Sequence, residues 1–157
     1  MKLIKGDLWR ELTVASHILV STNSIVNASG KLVMGKGAAY EASKIFPSLA
    51  AELGLNLIKT NRLGKVYGIL IFPCFEINHP TRHLIYAGAF QVKYHWRDPA
   101  SLELIQISTD QLNVMATAMP FSRFAMNFPG IGNGGLSKAE VLPIIQNLPD
   151  NVYVYEK

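Results

Sequence analysis

Residues 124–141 read FAMNFPGIGNGGLSKAEV: an apolar run, a loop with glycine at 130, 132, 134 and 135, and a polar segment that starts a helix. The run FAMNF predicts a strand, and Ser137 followed by Glu140 has the spacing of a capping box opening a helix over residues 137–148. A second loop of the same kind, VMGKGA at residues 33–38, precedes a segment where Ala38, Ala39, Ala42, Ile45, Phe46 and Leu49 recur at three-to-four spacing. That periodicity predicts an amphipathic helix over residues 35–53, broken near Pro47. Each loop passes from a strand to a helix. Glycine there lets backbone approach a ligand closely, and the free N–H groups of the following helix attract phosphate oxygens. Two such loops could grip one diphosphate from opposite sides, and valine at Gly132 or Gly134 would then block it by bulk. Neither loop ends in Gly-Lys-Ser/Thr, and neither has the G-x-G-x-x-G spacing of a dinucleotide fold. The bland alternative is that these glycines only make turns and helix caps.

Working outward, a short strand is expected from Leu3, and residues 13–21 (TVASHILVS) read as a buried strand. Residues 65–72 (KVYGILIF) and 83–90 (HLIYAGAF) predict two neighbouring strands joined by a turn at Asn78, His79 and Pro80. Pro99 and the apolar positions from Leu102 to Met115 predict a helix over residues 99–118, and residues 152–155 form a last strand. Strands alternating with helices indicate an α/β chain with a largely parallel or mixed sheet in three layers, with ligands beyond the carboxyl ends of the strands.

A length of 157 residues suits one domain, and 49% apolar with 17% charged residues excludes a disordered chain. The single cysteine, Cys74, has no internal disulfide partner, which fits a reducing cytoplasm. No stretch has the length or apolarity of a signal peptide or membrane helix. Fifteen Lys and Arg against 11 Asp and Glu give a formal charge of +4, scattered without a basic run, a field that suits nucleic acid or a small anion such as a pyrophosphate. His17 lies in an apolar strand and His79 and His83 flank a turn, with no metal-like spacing, so no metal site is expected.

The blocks KGDLW, STNSIVNASGKLVMGKGAAYEASKIFP, FQVKYHWRDPASL and NFPGIGNGGLSKAEV, taken in order, resemble the macrodomain family along nearly the whole chain. The resemblance is nearest to the branch of phage-encoded and antitoxin-like macrodomains, in which V-M-G-K-G-x-A leads into a helix ending F-P. It implies a single macrodomain over residues 1–157, an α/β/α sandwich with a mixed central sheet and ADP-ribose in a cleft. By that resemblance Asp7, next to Leu8, accepts from the adenine amino group. Val33, Met34, Gly35, Lys36, Gly37 and Ala38 on one side, and Pro129, Gly130, Ile131, Gly132, Asn133, Gly134, Gly135 and Leu136 on the other, enclose the diphosphate and distal ribose. Asn23 could bond a ribose hydroxyl. Local alternatives stand beside these roles: Asp7 has the preferred chemistry of a helix N-cap, and Asn23 and Asn27 that of turn residues.

The branch's catalytic lysine lies in a block reading F-P-T-K-x-H-W-R, which FQVKYHWR matches with Lys93, departing at Gln91 and Val92. A lysine beside the anomeric carbon can attack it as an amine, provided burial or a neighbouring cation lowers its pKa. His95 and Trp96 of the same block read as packing and orienting groups. Related hydrolases have an acid after the glycines, as in G-G-L-D, where this chain has Ser137. The resemblance therefore implies either a glycohydrolase-type enzyme acting on an ADP-ribosyl linkage of protein or nucleic acid, or on ADP-ribose 1″-phosphate, or a non-catalytic ADP-ribose-binding module. A small-anion or RNA-binding domain on the same scaffold is a third class. In each case the expectation is a monomer in the cytoplasm, the host's if phage-encoded, without cofactor or membrane partner.

Overall fold

A computed structural model describes residues 1–77 and 84–157; the turn expected at residues 78–80, His79 and His83 lie outside the described residues. Among the described residues six strands form one sheet: β1 (Lys2–Lys5), β2 (His17–Thr22), β3 (Ile69–Cys74), β4 (Ile85–Gln91), β5 (Phe124–Asn127) and β6 (Val152–Glu156). Their order is β1-β6-β5-β2-β4-β3. Five run parallel and β3 pairs antiparallel with β4, so the sheet is mixed. The helices are α1 (Gly37–Ile45), α2 (Leu49–Lys59), α3 (Leu102–Ala118) and α4 (Lys138–Ile145), with a 3-10 helix at Leu8–Thr13.

Alternation along the central strand builds the three layers. Ile18 and Val20 of β2 face a core with Ala42, Phe46, Leu49, Leu53 and Leu57 of the α1–α2 segment, whereas Leu19 faces Ile105, Leu112, Val141 and Ile145 of α3 and α4. A strand covered on both faces reads as an unbroken apolar run, as HILV does. Because the parallel strands all end on one side, residues following β1, β2, β4, β5 and β6 converge there. Among the described residues no helix is long and apolar enough to cross a membrane.

Several boundaries differ from the sequence expectation. The expected helix over residues 35–53 is two helices, parted at Phe46, Pro47 and Ser48, and the second runs on to Lys59. Strand β2 begins at His17 because Leu8–Thr13 is wound into the 3-10 helix, which Glu11 pins from inside: its carboxylate takes bidentate hydrogen bonds from Arg123 at 2.6 and 2.8 Å and one from Tyr155 Oη at 2.5 Å. Strand β3 begins at Ile69 because the buried Gln91 side chain claims the N–H groups of Tyr67 and Gly68 at 2.7 and 3.1 Å, and Gly68 turns with φ +75°. Pro73 is tolerated in β3 because that strand is an edge. Helix α3 starts after Ser101, which caps Leu104 N, rather than at Pro99.

Candidate functional site

A cleft of about 850 Å³ opens where the parallel strands end, within the usual range for small-molecule sites of about 300–1,000 Å³. Gly6, Asp7 and Leu8 line it after β1, Asn23 after β2, Val92 and Lys93 after β4, and Gly130 to Gly134 after β5. The loop before α1 contributes Val33, Gly35 and Lys36, and the first turn of α1 contributes Gly37 and Ala38. Lys36 caps α1 without any side-chain acceptor, which leaves the first-turn N–H groups open to an anion. The two glycine loops approach each other: a Cβ on Gly37 would lie 3.9 Å from Asn133 Nδ2.

Four residues placed in these loops by sequence do not line the cleft. Met34 is buried in the core with residues of α1 and α2, although its neighbours Val33 and Gly35 line the cleft. Pro129 is buried, Leu136 packs inward on the α3–α4 core with its Cδ1 near Gly130, and Gly135 ends the short 3-10 turn with φ +75°. Gly134 lines the cleft with its backbone, but a Cβ there would meet Ala100 Cβ at 3.0 Å, so bulk at Gly134 strikes the fold and not a diphosphate. Gly132, with φ +65°, would carry a Cβ into open space.

Asp7 lines the cleft and also caps the 3-10 helix, Oδ1 accepting from Trp9 N at 3.1 Å. Asn23 is 7% exposed and its amide is engaged at both ends, Nδ2 donating to Val33 O and Oδ1 accepting from Ile25 N, each at 2.9 Å. It therefore shapes the loop at residue 33. Asn27 is exposed, takes Ser29 N and Lys31 N on its Oδ1, and is a turn residue away from the cleft.

Lys93 is half-buried, and its Nζ donates to Trp96 O at 3.3 Å and Asn133 O at 3.2 Å, bridging the β4 loop to the glycine loop. Burial pushes its pKa below the ordinary lysine value; Asp98 opposes this and Lys36 adds to it. The departure at Gln91 has a structural account. This fully buried amide also donates to Lys65 O and Lys93 O, so it holds the segment that carries Lys93. His95 Nδ1 accepts from Arg97 N at 3.1 Å and orients the loop as expected, but Trp96 is 45% exposed at the cleft and is not a packing group.

Ser137 and Glu140 form a complete capping box, with Glu140 Oε1 accepting from Ser137 N and Oγ at 3.0 and 2.9 Å. These bonds hold the Glu140 carboxyl below its usual range, the backbone one most strongly. The three carboxylates lining the cleft are also engaged: Asp7 as a cap, Glu41 with Lys157 at 3.9 Å and Glu156 with Lys138 at 2.9 Å. Sequence reasoning missed Ser21, Asn127, Phe128 and Tyr155 on the cleft wall. Asn127 takes Ser21 N on Oδ1 and donates to Ser21 Oγ, both at 2.9 Å, tying the ends of β2 and β5; only the parallel pairing of these distant strands reveals this. Among the described residues no three His, Cys, Asp or Glu side chains gather to hold a metal.

No family model matches the sequence. Over 99% of its length the chain is 29% identical to a DNA ADP-ribosyl glycohydrolase of Thermus aquaticus and covers 41% of it, so it spans less than half the length of that curated relative. Among solved structures it is similar to the macrodomain of Mycobacterium tuberculosis DarG, with a TM-score of 0.74 and 24% identity over 99% of this chain and 97% of that one. It is likewise similar to Thermosipho africanus DarTG in complex with ADP-ribose, with a TM-score of 0.72 and 19% identity over 99% of this chain and 41% of that one.

Proposed function

The chain has the macrodomain fold, and from that premise we propose that its cleft binds ADP-ribose and that Lys93 cleaves an ADP-ribosyl linkage. The observation that carries the reading is the meeting of Lys93 Nζ with the glycine loop that faces the start of α1. Diphosphate oxygens suit the N–H groups between those loops, and Asp7 lies at the far end of the same cleft, where an adenine amino group can donate to it. That arrangement leaves the distal ribose against Lys93. The relative that acts on ADP-ribosylated DNA and the neighbour crystallised with ADP-ribose both support the reading. The reading extends to a monomer working in a reducing compartment, without metal or cofactor.

In the proposed reaction the Lys93 amine, whose pKa burial lowers, attacks the anomeric carbon in its deprotonated form as the bond to the leaving group breaks, and water then releases ADP-ribose and the lysine. Among the described residues Glu140 is held in a cap, the cleft carboxylates are paired and Asp98 acts on Lys93, so none takes the place of the acid that related hydrolases have after the glycines. Carboxylates and nucleobase imides depart as stable anions and do not need one; serine and arginine linkages, with strongly basic leaving groups, do. The same missing acid favours a second reading, a binding module without turnover.

Calorimetry tests the first step. ADP-ribose is expected to bind with a Kd in the micromolar range, roughly −7 to −9 kcal/mol, and AMP much more weakly; absence of ADP-ribose binding at millimolar ligand ends both readings.

A further inference from the structure

The lysine block departs from F-P-T-K at Gln91, where a proline side chain has no donor or acceptor, and the glutamine uses every one it has. Oε1 accepts from Tyr67 N at 2.7 Å and Gly68 N at 3.1 Å, and Nε2 donates to Lys65 O at 2.9 Å and Lys93 O at 3.2 Å. Two lone pairs and two hydrogens are the whole capacity of an amide, so this side chain has a single orientation; turned over, it would set hydrogens against N–H groups and oxygen against carbonyls. Its backbone is fixed as well, Gln91 N donating to Gly68 O at 2.9 Å and Ser108 Oγ of α3 donating to Gln91 O at 2.8 Å.

Lys93 is thereby held at both ends of its backbone. Its N–H donates to Thr22 O at 3.2 Å, its C=O accepts from Gln91, and its Nζ reaches across to Asn133 O at 3.2 Å. The oxygen end of the same amide leads to the opposite wall of the cleft. Tyr67, buried and held there by its N–H, donates from Oη to Asn23 O at 2.6 Å and accepts from Thr22 Oγ1 at 2.5 Å, and Asn23 Nδ2 holds Val33 O in the first glycine loop. A buried chain of satisfied polar groups favours one arrangement, because each broken bond leaves a group unpaired away from water. Resting on the reading that Lys93 attacks in this cleft, we propose that Gln91 is a positioning residue, whose amide fixes where the Lys93 amine stands and so sets the rate of cleavage and not the affinity for ADP-ribose. The loop at Val33 keeps its own ties through Asn23 to Ile25 N and Tyr67 Oη when Gln91 is lost. Burial lowers the Lys93 pKa, against Asp98 on its own loop and together with Lys36 at the start of α1. A lysine released from its hold moves toward water and toward the ordinary lysine range.

The test uses the full chain with Gln91→Met, which keeps the length of the side chain and removes its donors and acceptors. Turnover is measured on the better of two substrates, a peptide ADP-ribosylated on a glutamate carboxyl or an oligonucleotide ADP-ribosylated on a thymine imide. It is expected to fall on the order of tenfold to a hundredfold, as it does when a reacting group is slightly misplaced, with the Kd for ADP-ribose changed by less than about threefold. Trace acetylation of the lysine amines with acetic anhydride across pH, read by mass spectrometry, should show the Lys93 midpoint moving up toward those of the other lysines. Gln111→Ala is the control: Gln111 Oε1 accepts from Ile69 N at 2.8 Å, the next N–H along after Gly68, and its hydrogen bond does not go to the Lys93 segment. It should leave turnover, affinity and the Lys93 midpoint unchanged. If Gln91→Met does not fold, Gln91→Glu, which still accepts from Tyr67 N and Gly68 N but sets an oxygen against Lys93 O, is expected to show the same loss of turnover at constant affinity. Equal losses of turnover and affinity, the same effects from Gln111→Ala, or an unmoved Lys93 midpoint in Gln91→Met would overturn the proposal. If the wild type turns over neither substrate, the reading of Lys93 as nucleophile fails by itself, and the acetylation midpoint still decides whether Gln91 positions its amine.

Discussion

Lys93 is set apart from the other lysines by what surrounds its amine: two backbone carbonyls within 3.3 Å, partial burial, and Lys36 nearby. If it attacks the anomeric carbon, Lys93→Ala should lower turnover of an ADP-ribosylated substrate by more than about a hundredfold while changing ADP-ribose affinity by less than about 1 kcal/mol, because a transition-state contact acts on the barrier more than on binding. Lys93→Arg keeps the charge without a usable amine, so it should be equally inactive if attack is covalent and partly active if the role is electrostatic. The sign of the pH dependence follows from the deprotonated amine being the reactive form. Activity rises with pH, and its midpoint lies below the ordinary lysine value of about 10.4 because burial lowers it. A flat pH–rate profile would contradict the nucleophile role. Asp7 combines two tasks, so two substitutions separate them. Asp7→Ala should lose roughly 1.5–3 kcal/mol of ADP-ribose affinity and also the cap's contribution of about 1 kcal/mol to stability. Asp7→Asn should keep the melting temperature and lose most of the affinity, since an amide still caps Trp9 N but carries no charge for adenine. Equal affinity for the wild type and both variants would leave Asp7 a cap alone.

At the scale of elements, the two glycine loops and the helices behind them were legible because glycine spacing and capping residues act locally. Ser137 and Glu140 cap α4 as their spacing predicted, which settles why Glu140 is occupied. Side-chain direction within a loop was not legible, and Met34, Pro129, Gly135 and Leu136 were placed in the site by their position alone. Core neighbours decide otherwise for Met34 and Leu136, burial for Pro129, and the left-handed end of the 3-10 turn for Gly135. The same distinction separates two substitutions that look alike in sequence. Gly132→Val points into open space at the cleft and should weaken ADP-ribose by at least about tenfold, with a stability cost on the order of 1 kcal/mol from its positive φ. Gly134→Val meets Ala100 and should act chiefly by lowering the melting temperature. Binding isotherms and thermal melts on both variants check this; the reverse pattern would place the diphosphate elsewhere.

Across the whole molecule, Glu11 joins the 3-10 helix after Asp7 to Arg123 at the start of β5 and Tyr155 at the end of β6. Burial alone would raise its pKa, but the hydrogen bonds from Arg123 and Tyr155 outweigh burial and leave it lowered. A carboxylate with a lowered folded-state pKa stabilises above its unfolded value of about 4.3, and that contribution is lost as pH falls through the folded value. Glu11→Ala should therefore destabilise at neutral pH by about 3 kcal/mol, the low end for orphaning one member of a buried pair, because Arg123 keeps 35% of its side-chain exposure. The deficit should shrink in acid, and chemical denaturation of both proteins at pH 7 and pH 3 measures it. A deficit independent of pH would mean that packing, and not charge, holds this tie.

The α/β order, the two glycine loops, the capped final helix and the lysine block could all be read from residues 1–157 without coordinates, because periodicity, glycine placement and capping depend on near neighbours in the chain. The strand order, and with it the gathering of residues 7, 23, 93 and 133 around one cleft, came only from pairing between segments far apart in sequence. The same holds for the polar ties that no local pattern signals. Gln91 looks like a mere departure from a motif until its amide is seen holding Lys65, Tyr67, Gly68 and Lys93, and Trp96 looks like a core residue until its exposure is known. A buried polar group must find partners wherever the fold brings them, and an aromatic ring is apolar enough to sit on either side of the surface, so in both cases tertiary packing makes the choice.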